Sequence, residues 1–131
     1  MTSVFQQHGA FSWCELMTTD RTAAKEFYGR LFGWTMDDQP MAGTIYTVIK
    51  AAEQQIGGLM DMPADLHSVP PCWGVYVTVD DVDATVQLAE ALGGQIKVPP
   101  MNIPDVGRFA ILQDPQGAIL SIITYRLPEA A

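Results

Sequence analysis

An internal repeat constrains this chain more than any other feature. Residues 11–34, FSWCELMTTDRTAAKEFYGRLFGW, and residues 72–95, CWGVYVTVDDVDATVQLAEALGGQ, share one pattern under a shift of 61 positions. The shift sets Leu16 on Val77, Asp20 on Asp81, Ala23 on Ala84, Phe27 on Leu88, Leu31 on Leu92 and Gly33 on Gly94. A recurring pattern of this kind marks a structural unit used more than once. Each copy reads as a strand, an acidic cap, an amphipathic helix and a glycine.

The helix reading has a mechanism. Asp20 and Asp81 can accept hydrogen bonds from the first free N–H groups of the helices that follow them. Ala23/Ala24, Phe27 and Leu31, and likewise Ala84, Leu88 and Leu92, recur at helical spacing and predict one apolar stripe per helix. Gly33 and Gly94 suit the left-handed conformation that ends a helix. Alternation predicts the strands: Trp73, Val75, Val77 and Val79 share one face of 73–79, and Cys14 and Leu16 share one face of 12–17. The faces carrying Cys14/Leu16 and Val75/Val77/Val79 are the expected seats of the helices.

Three more strands are expected after each helix, at about 34–39, 44–50 and 54–61, then at about 95–98, 107–113 and 118–125. Asp114-Pro115-Gln116-Gly117 places Pro second and Gly fourth, a type I turn joining the last two. Asp61–Pro71 is rich in proline and lacks periodicity, so it reads as a linker. Pro99, Pro100 and Pro104 read as a loop inside the second half. The expected organisation is one domain over 1–131, with module one at about 10–61, the linker at about 62–71 and module two at about 72–126.

Composition narrows the partners. A chain of 131 residues suits one domain, and 48% hydrophobic against 17% charged residues is ordinary for a globular protein. Seven basic against fifteen acidic residues give a formal charge of −8. That argues against nucleic acid and anionic membrane as partners, because both select basic surfaces. No apolar run reaches the roughly 18 residues of a membrane span. Residues 1–10 lack the basic and apolar regions of a signal peptide. The two cysteines, Cys14 and Cys72, do not make a disulfide framework and read as reduced, packed thiols of a cytoplasmic protein.

The residues Glu15-Leu16, Asp20, Ala24, Phe27-Tyr28, Leu31-Phe32-Gly33-Trp34, Val79-Asp80-Asp81-Val82-Asp83-Ala84, Gly93-Gly94, Phe109 and Asp114-Pro115-Gln116-Gly117 run through nearly the whole chain. In this order they resemble the vicinal oxygen chelate superfamily of glyoxalases, extradiol dioxygenases, and fosfomycin- and bleomycin-resistance proteins. The resemblance implies an α+β fold of two tandem βαβββ modules whose curved mixed sheet surrounds a cleft. It also implies a homodimer in most cases.

Metal enzymes of that superfamily take His, Glu or Gln ligands from the first and last strands of each module. Those positions fall here on Trp13, Gly74, Gly58 and Ser121. Indole offers only an N–H donor and glycine offers no side chain, so this set falls short of the three good donors a zinc, nickel or iron site needs. Shifting the register by one residue does not restore ligands, and His8 and His67 fall outside the strands as solvated loop residues. No cofactor is expected, with a divalent metal as the lesser alternative.

If these positions still line a cleft, period two adds Glu15 and Met17 to Trp13, Met60 to Gly58, Tyr76 and Thr78 to Gly74, and Ile119 and Ile123 to Ser121. Such a lining suits a small apolar or aromatic molecule, with Trp13 as a stacking surface. It equally suits a filled interior closed by Trp13, Met17, Met60 and Tyr76. Glu15 and Tyr76 are the acid–base candidates, with Ser121 beside them. Three readings follow: a metal-independent binding protein, an enzyme of the lyase, isomerase or dioxygenase type, and a structural protein whose cleft is filled.

Overall fold

The computed structural model describes residues 3–41, 43–62 and 70–126. The element order is β1 (Phe11–Thr18), α1 (Arg21–Phe32), β2 (Thr35–Met41), β3 (Thr44–Ala51), β4 (Gln54–Asp61), β5 (Cys72–Thr78), α2 (Val82–Ala91), β6 (Gln95–Ile103), β7 (Gly107–Gln113) and β8 (Ile119–Tyr125). This is βαβββ written twice, the α+β architecture that the repeat predicts. The chain forms two compact units, Trp13–Gly74 and a second that joins the N-terminal segment through Ser12 to everything from Val75 onward. Most of the expected linker, residues 63–69, and with it His67, lies outside the described residues.

In the first unit the strand order is β2-β3-β4-β1. β1 runs parallel to β4, and the other neighbours are antiparallel. Leu16, Ile49 and Leu59 form its buried centre, with Ala24, Tyr28, Trp34 and Met36 packed against them. Full burial of side chains such as Ile49 and Leu59 contributes about 1.5–3 kcal/mol each. Asp20 caps α1, its carboxylate accepting from the Ala23 N–H at 3.0 Å. Gly33 ends the helix at φ 73°. Arg21 ties the start of α1 to the sheet, its guanidinium donating to Asp38 and to Thr47, both at 3.1 Å.

The second unit repeats the order as β5-β8-β7-β6, with β5 parallel to β8. Its centre is Val79, Val82, Val86, Ala110 and Ile122. Asp81 caps α2 by accepting from the Ala84 N–H at 3.1 Å. The Asp114 turn forms as expected: the Gly117 N–H donates to the Asp114 carbonyl, and the Asp114 carboxylate accepts from the N–H groups of Gln116 and Ala118. The N-terminal segment belongs to this unit. Thr78 exchanges backbone hydrogen bonds with Gly9 and Ala10, and His8 Nδ1 accepts from the Asp80 N–H at 3.0 Å.

Four expectations are corrected. The apolar stripes at Phe27/Leu31 and Leu88/Leu92 do not face the sheet; these side chains are 60, 57, 58 and 70% exposed. The sheet-facing positions are one step round the helix, at Ala24/Tyr28 and Val82/Val86, because the broad Tyr28 ring and the Val82/Val86 pair occupy the space above the strands. The left-handed residue after α2 is Gly93, at φ 95°, rather than Gly94. Pro99 and Pro100 do not interrupt β6, which pairs only with β7 and absorbs both prolines in register shifts around Val98 and Met101. An edge strand with bulges tolerates the missing donors. Cys14 and Cys72 are exposed rather than packed. The helix covers Leu16 but does not reach Cys14, two residues earlier on the same face.

Candidate functional site

The ladder registers place the candidate residues. Glu15 is the β1 partner of Gly58 on β4, and Tyr76 is the β5 partner of Ser121 on β8. The two modules therefore present matching pairs, Glu15/Gly58 and Tyr76/Ser121.

In the first module the site is built around a residue that the sequence reading did not select. The Trp13 indole N–H donates to the Tyr46 hydroxyl at 2.8 Å. The Tyr46 O–H in turn donates to Glu15 Oε2 at 2.7 Å. Trp13 and Glu15 lie two apart on β1 and so project from the same face, the one opposite Leu16 and α1. Val48 is the direct β3 partner of Gly58. Tyr46 is thus the diagonal neighbour of Gly58, a spacing that long aromatic side chains can bridge. It bridges here because Gly58 has no side chain: a Cβ built on Gly58 would overlap the Tyr46 hydroxyl and ring. The result is a chain of polar groups, indole to phenol to carboxylate, held across the sheet, with the Tyr46 ring buried. Met17 and Met60, paired on β1 and β4, are half-buried. Gly74 leaves open space; a side chain there would touch only the Glu15 carbonyl, at 3.9 Å.

In the second module Tyr76, Thr78 and Ser121 are all buried. Thr78 is committed to structure, since its hydroxyl donates to the Val4 carbonyl at 2.7 Å and holds down the N-terminal segment. Ile123 is buried and Ile119 is exposed. A groove of about 470 Å³ in this module is lined by residues of the α2 start, the β6–β7 turn and the β8 end, among them Asp83, Asn102, Arg108 and Arg126. None of the residues selected from the sequence lines it. Arg108 spans it with two hydrogen bonds to Asp83, at 2.7 and 2.9 Å, and one to Asn102. That ion pair holds the Asp83 carboxyl below its ordinary range.

The residues at the expected ligand positions do not fit a metal. The Trp13 N–H is a donor already directed at Tyr46, and the space in front of Gly58 holds the Tyr46 phenol. Among the described residues no three His, Cys, Asp or Glu side chains are grouped to hold an ion. The arrangement supports hydrogen bonding and proton exchange through Glu15 and Tyr46, and stacking on Trp13.

A signal for Tyr46 is present in the chain. Two adjacent glycines inside a strand, Gly57-Gly58, mark a close approach by something else. The Gly57 position admits the Cys14 backbone and the Gly58 position admits Tyr46.

Comparison with known proteins agrees with this architecture. CFP32 of Mycobacterium tuberculosis, which carries the name glyoxylase, is 43% identical over 122 residues, covering 92% of this chain and 46% of that protein. The anthracycline biosynthesis protein DnrV of Streptomyces peucetius is 35% identical over 127 residues, covering 87% of this chain and 46% of that protein. The chain thus spans less than half the length of these curated relatives. Among solved structures, a methylmalonyl-CoA epimerase of Streptomyces coelicolor superposes with a TM-score of 0.67 at 15% identity, over 95% of this chain and 100% of that one. A hypothetical protein of Bacillus halodurans reaches 0.71 at 10% identity, over 95% of this chain and 100% of that one. At such identities these two show a shared fold. The family model described as Glyoxalase/Bleomycin resistance protein/Dioxygenase superfamily matches residues 10–122, and the chain belongs to that superfamily.

Proposed function

We propose that this chain is a metal-independent, small-molecule-binding member of the superfamily, with its ligand meeting Trp13, Glu15 and Tyr46 on the first module. The observation that carries this reading is the hydrogen-bonded set itself: Tyr46 reaches from β3 across Gly58 of β4 to Trp13 and Glu15 of β1, filling with an indole, a phenol and a carboxylate the first-module positions at which the resemblance would place metal ligands. Trp13 offers a flat apolar surface, and Glu15 and Tyr46 offer polar groups that fix orientation. Met17 and Met60 supply adaptable contacts beside them. A planar aromatic ligand fits this set, and a relative named for anthracycline biosynthesis supports the same class. Nothing in the acidic composition favours nucleic acid or an anionic membrane as the partner. No helix among the described residues is long and apolar enough to cross a membrane. Free, exposed thiols at Cys14 and Cys72 fit a reducing, cytoplasmic setting.

The test is a fluorescence titration with a panel of planar phenolic and quinone compounds. Saturable quenching in the wild type, lost in Trp13→Phe while Trp34 and Trp73 remain, is the expected result. Absence of saturable binding, or binding indifferent to Trp13→Phe and Tyr46→Phe, would overturn the reading.

A second reading, superfamily enzyme chemistry without a metal, is favoured by the short Tyr46–Glu15 hydrogen bond, since a carboxylate paired with a phenol can pass a proton. It predicts deuterium exchange into a bound ligand's acidic C–H in D2O, abolished by Glu15→Gln. Binding with no exchange leaves the first reading alone.

A further inference from the structure

We propose that the groove beside the β6–β7 turn binds a small zwitterion: an apolar body with one carboxylate and one ammonium group, as a free amino acid has. Arg126 receives the carboxylate and Asp105 the ammonium. The site lies wholly in the second unit and is independent of whether Trp13 meets a ligand. At about 470 Å³ the groove falls in the range of about 300–1,000 Å³ that small-molecule pockets occupy. A second groove of about 320 Å³ runs along the N-terminal segment, and Asp105, Tyr125 and Arg126 line both. The apolar lining is held in place before any ligand arrives. Phe5 meets Tyr125 edge-on at 5.0 Å, and the Tyr125 hydroxyl is hydrogen-bonded to Ser12 Oγ at 2.7 Å. Rings already fixed lose little freedom on binding.

The charges say which ligand fits. Asp80, Asp81, Asp83, Asp105, Arg108 and Arg126 line the larger groove. A plain anion meets four carboxylates there, and a plain cation leaves Arg126 unanswered. Most of these groups are already committed. Arg108 donates twice to Asp83 and once to Asn102. Asp81 caps α2, and Asp80 stands 3.8 Å from the His8 imidazole. Asp105 and Arg126 remain: among the described residues neither side chain has a hydrogen-bond or ion-pair partner. The backbone sets the two side by side, since the Arg126 N–H donates to the Val106 carbonyl at 2.7 Å, yet their charged ends form no ion pair. A positive and a negative group held close and unpaired are the complement of a zwitterion. Asp105 also sits at φ 64°, in the turn that the Val106 N–H closes onto the Ile103 carbonyl, where glycine is at ease. An aspartate keeps a carboxylate there at a conformational cost, and such outliers point towards function.

The experiment follows the backbone amide shifts of the isotope-labelled chain on titration with L-phenylalanine up to about 20 mM, a range suited to a small ligand. Saturable shifts at Asp105, Val106 and Arg108 are expected, with a dissociation constant of about 1 mM. Phenylpropanoate, which lacks the ammonium group, and phenethylamine, which lacks the carboxylate, are each expected to bind about fivefold more weakly. Variants then assign the charges. Asp105→Asn is expected to weaken phenylalanine about fivefold and leave phenylpropanoate unchanged, and Arg126→Gln to weaken phenylalanine as much and leave phenethylamine unchanged. Asp105→Gly relaxes the turn, so it should unfold no more readily than the wild type and still bind as weakly as Asp105→Asn. No saturable shift at this turn, or shifts confined to the Trp13 indole N–H, would overturn the proposal. So would analogues that bind as tightly as phenylalanine, or variants that leave its affinity unchanged.

Discussion

Replacing Gly58 by alanine tests the construction of the site with one carbon atom. At an ordinary strand position this change is mildly favourable, by about 0.4–1 kcal/mol, because it removes freedom from the unfolded chain. Here the new Cβ meets the Tyr46 hydroxyl and ring, and Tyr46 is 8% exposed, so the ring must leave its place. Displacing a packed side chain costs about 1–3 kcal/mol. The hydrogen bonds from Trp13 and to Glu15 go with it, at about 1 kcal/mol for the neutral one and about 1.5 kcal/mol for the charged one in a half-buried setting. The net expectation is a loss of about 3 kcal/mol, which for a chain of this size lowers the unfolding midpoint by about 10 °C. Thermal and urea unfolding measure it. The decisive comparison is a cycle with Tyr46→Val, which empties the space in front of Gly58: on that background Gly58→Ala should cost less than about 0.5 kcal/mol. A Gly58→Ala protein as stable as wild type, or a cost that persists in full without Tyr46, would refute the packing argument.

Two further predictions concern other parts of the chain. The Lys25 ammonium, then the Thr47 hydroxyl, hold the Asp38 carboxyl down at about 2, below its unfolded value of 3.8. The stability this gives is complete above about pH 4 and disappears as pH falls towards 2, so Asp38→Asn should flatten the acid limb of the stability curve while leaving its shape above pH 5 unchanged. An acid limb identical in both proteins would contradict the assignment. Cys14 and Cys72 are both exposed, so a thiol reagent should titrate two equivalents from the native protein without denaturant; a single equivalent or none would contradict their placement.

Much of the fold was legible because it is written twice. The caps at Asp20 and Asp81, the Asp114 turn and the position of nearly every strand follow from local chemistry that does not depend on distant residues. What failed was the choice between adjacent helical faces. Phe27/Leu31 and Ala24/Tyr28 are both apolar at helical spacing, and only tertiary packing decides that Tyr28 goes against the sheet. The prolines of β6 misled for a related reason, since whether a strand is an edge depends on pairing across the sheet. For the site, the ladders pair Glu15 with Gly58 and Tyr76 with Ser121, and the phenol that bonds Glu15 is Tyr46. Tyr46 was missed because its role is diagonal: it reaches Glu15 and Trp13 across an intervening strand, and nothing in β3 alone announces that. Thr78 was selected by period two, yet its hydroxyl serves the N-terminal segment, a contact between residues 74 apart in sequence.

The central claim is that Trp13, Tyr46 and Glu15 form a site that works without a metal. Elemental analysis of the untagged protein, with zinc, nickel, manganese and iron added back, tests it most directly. The account predicts less than about a tenth of an equivalent bound and no rise in unfolding temperature with any of the four metals. Near-stoichiometric metal, lost on chelation together with stability, would contradict it.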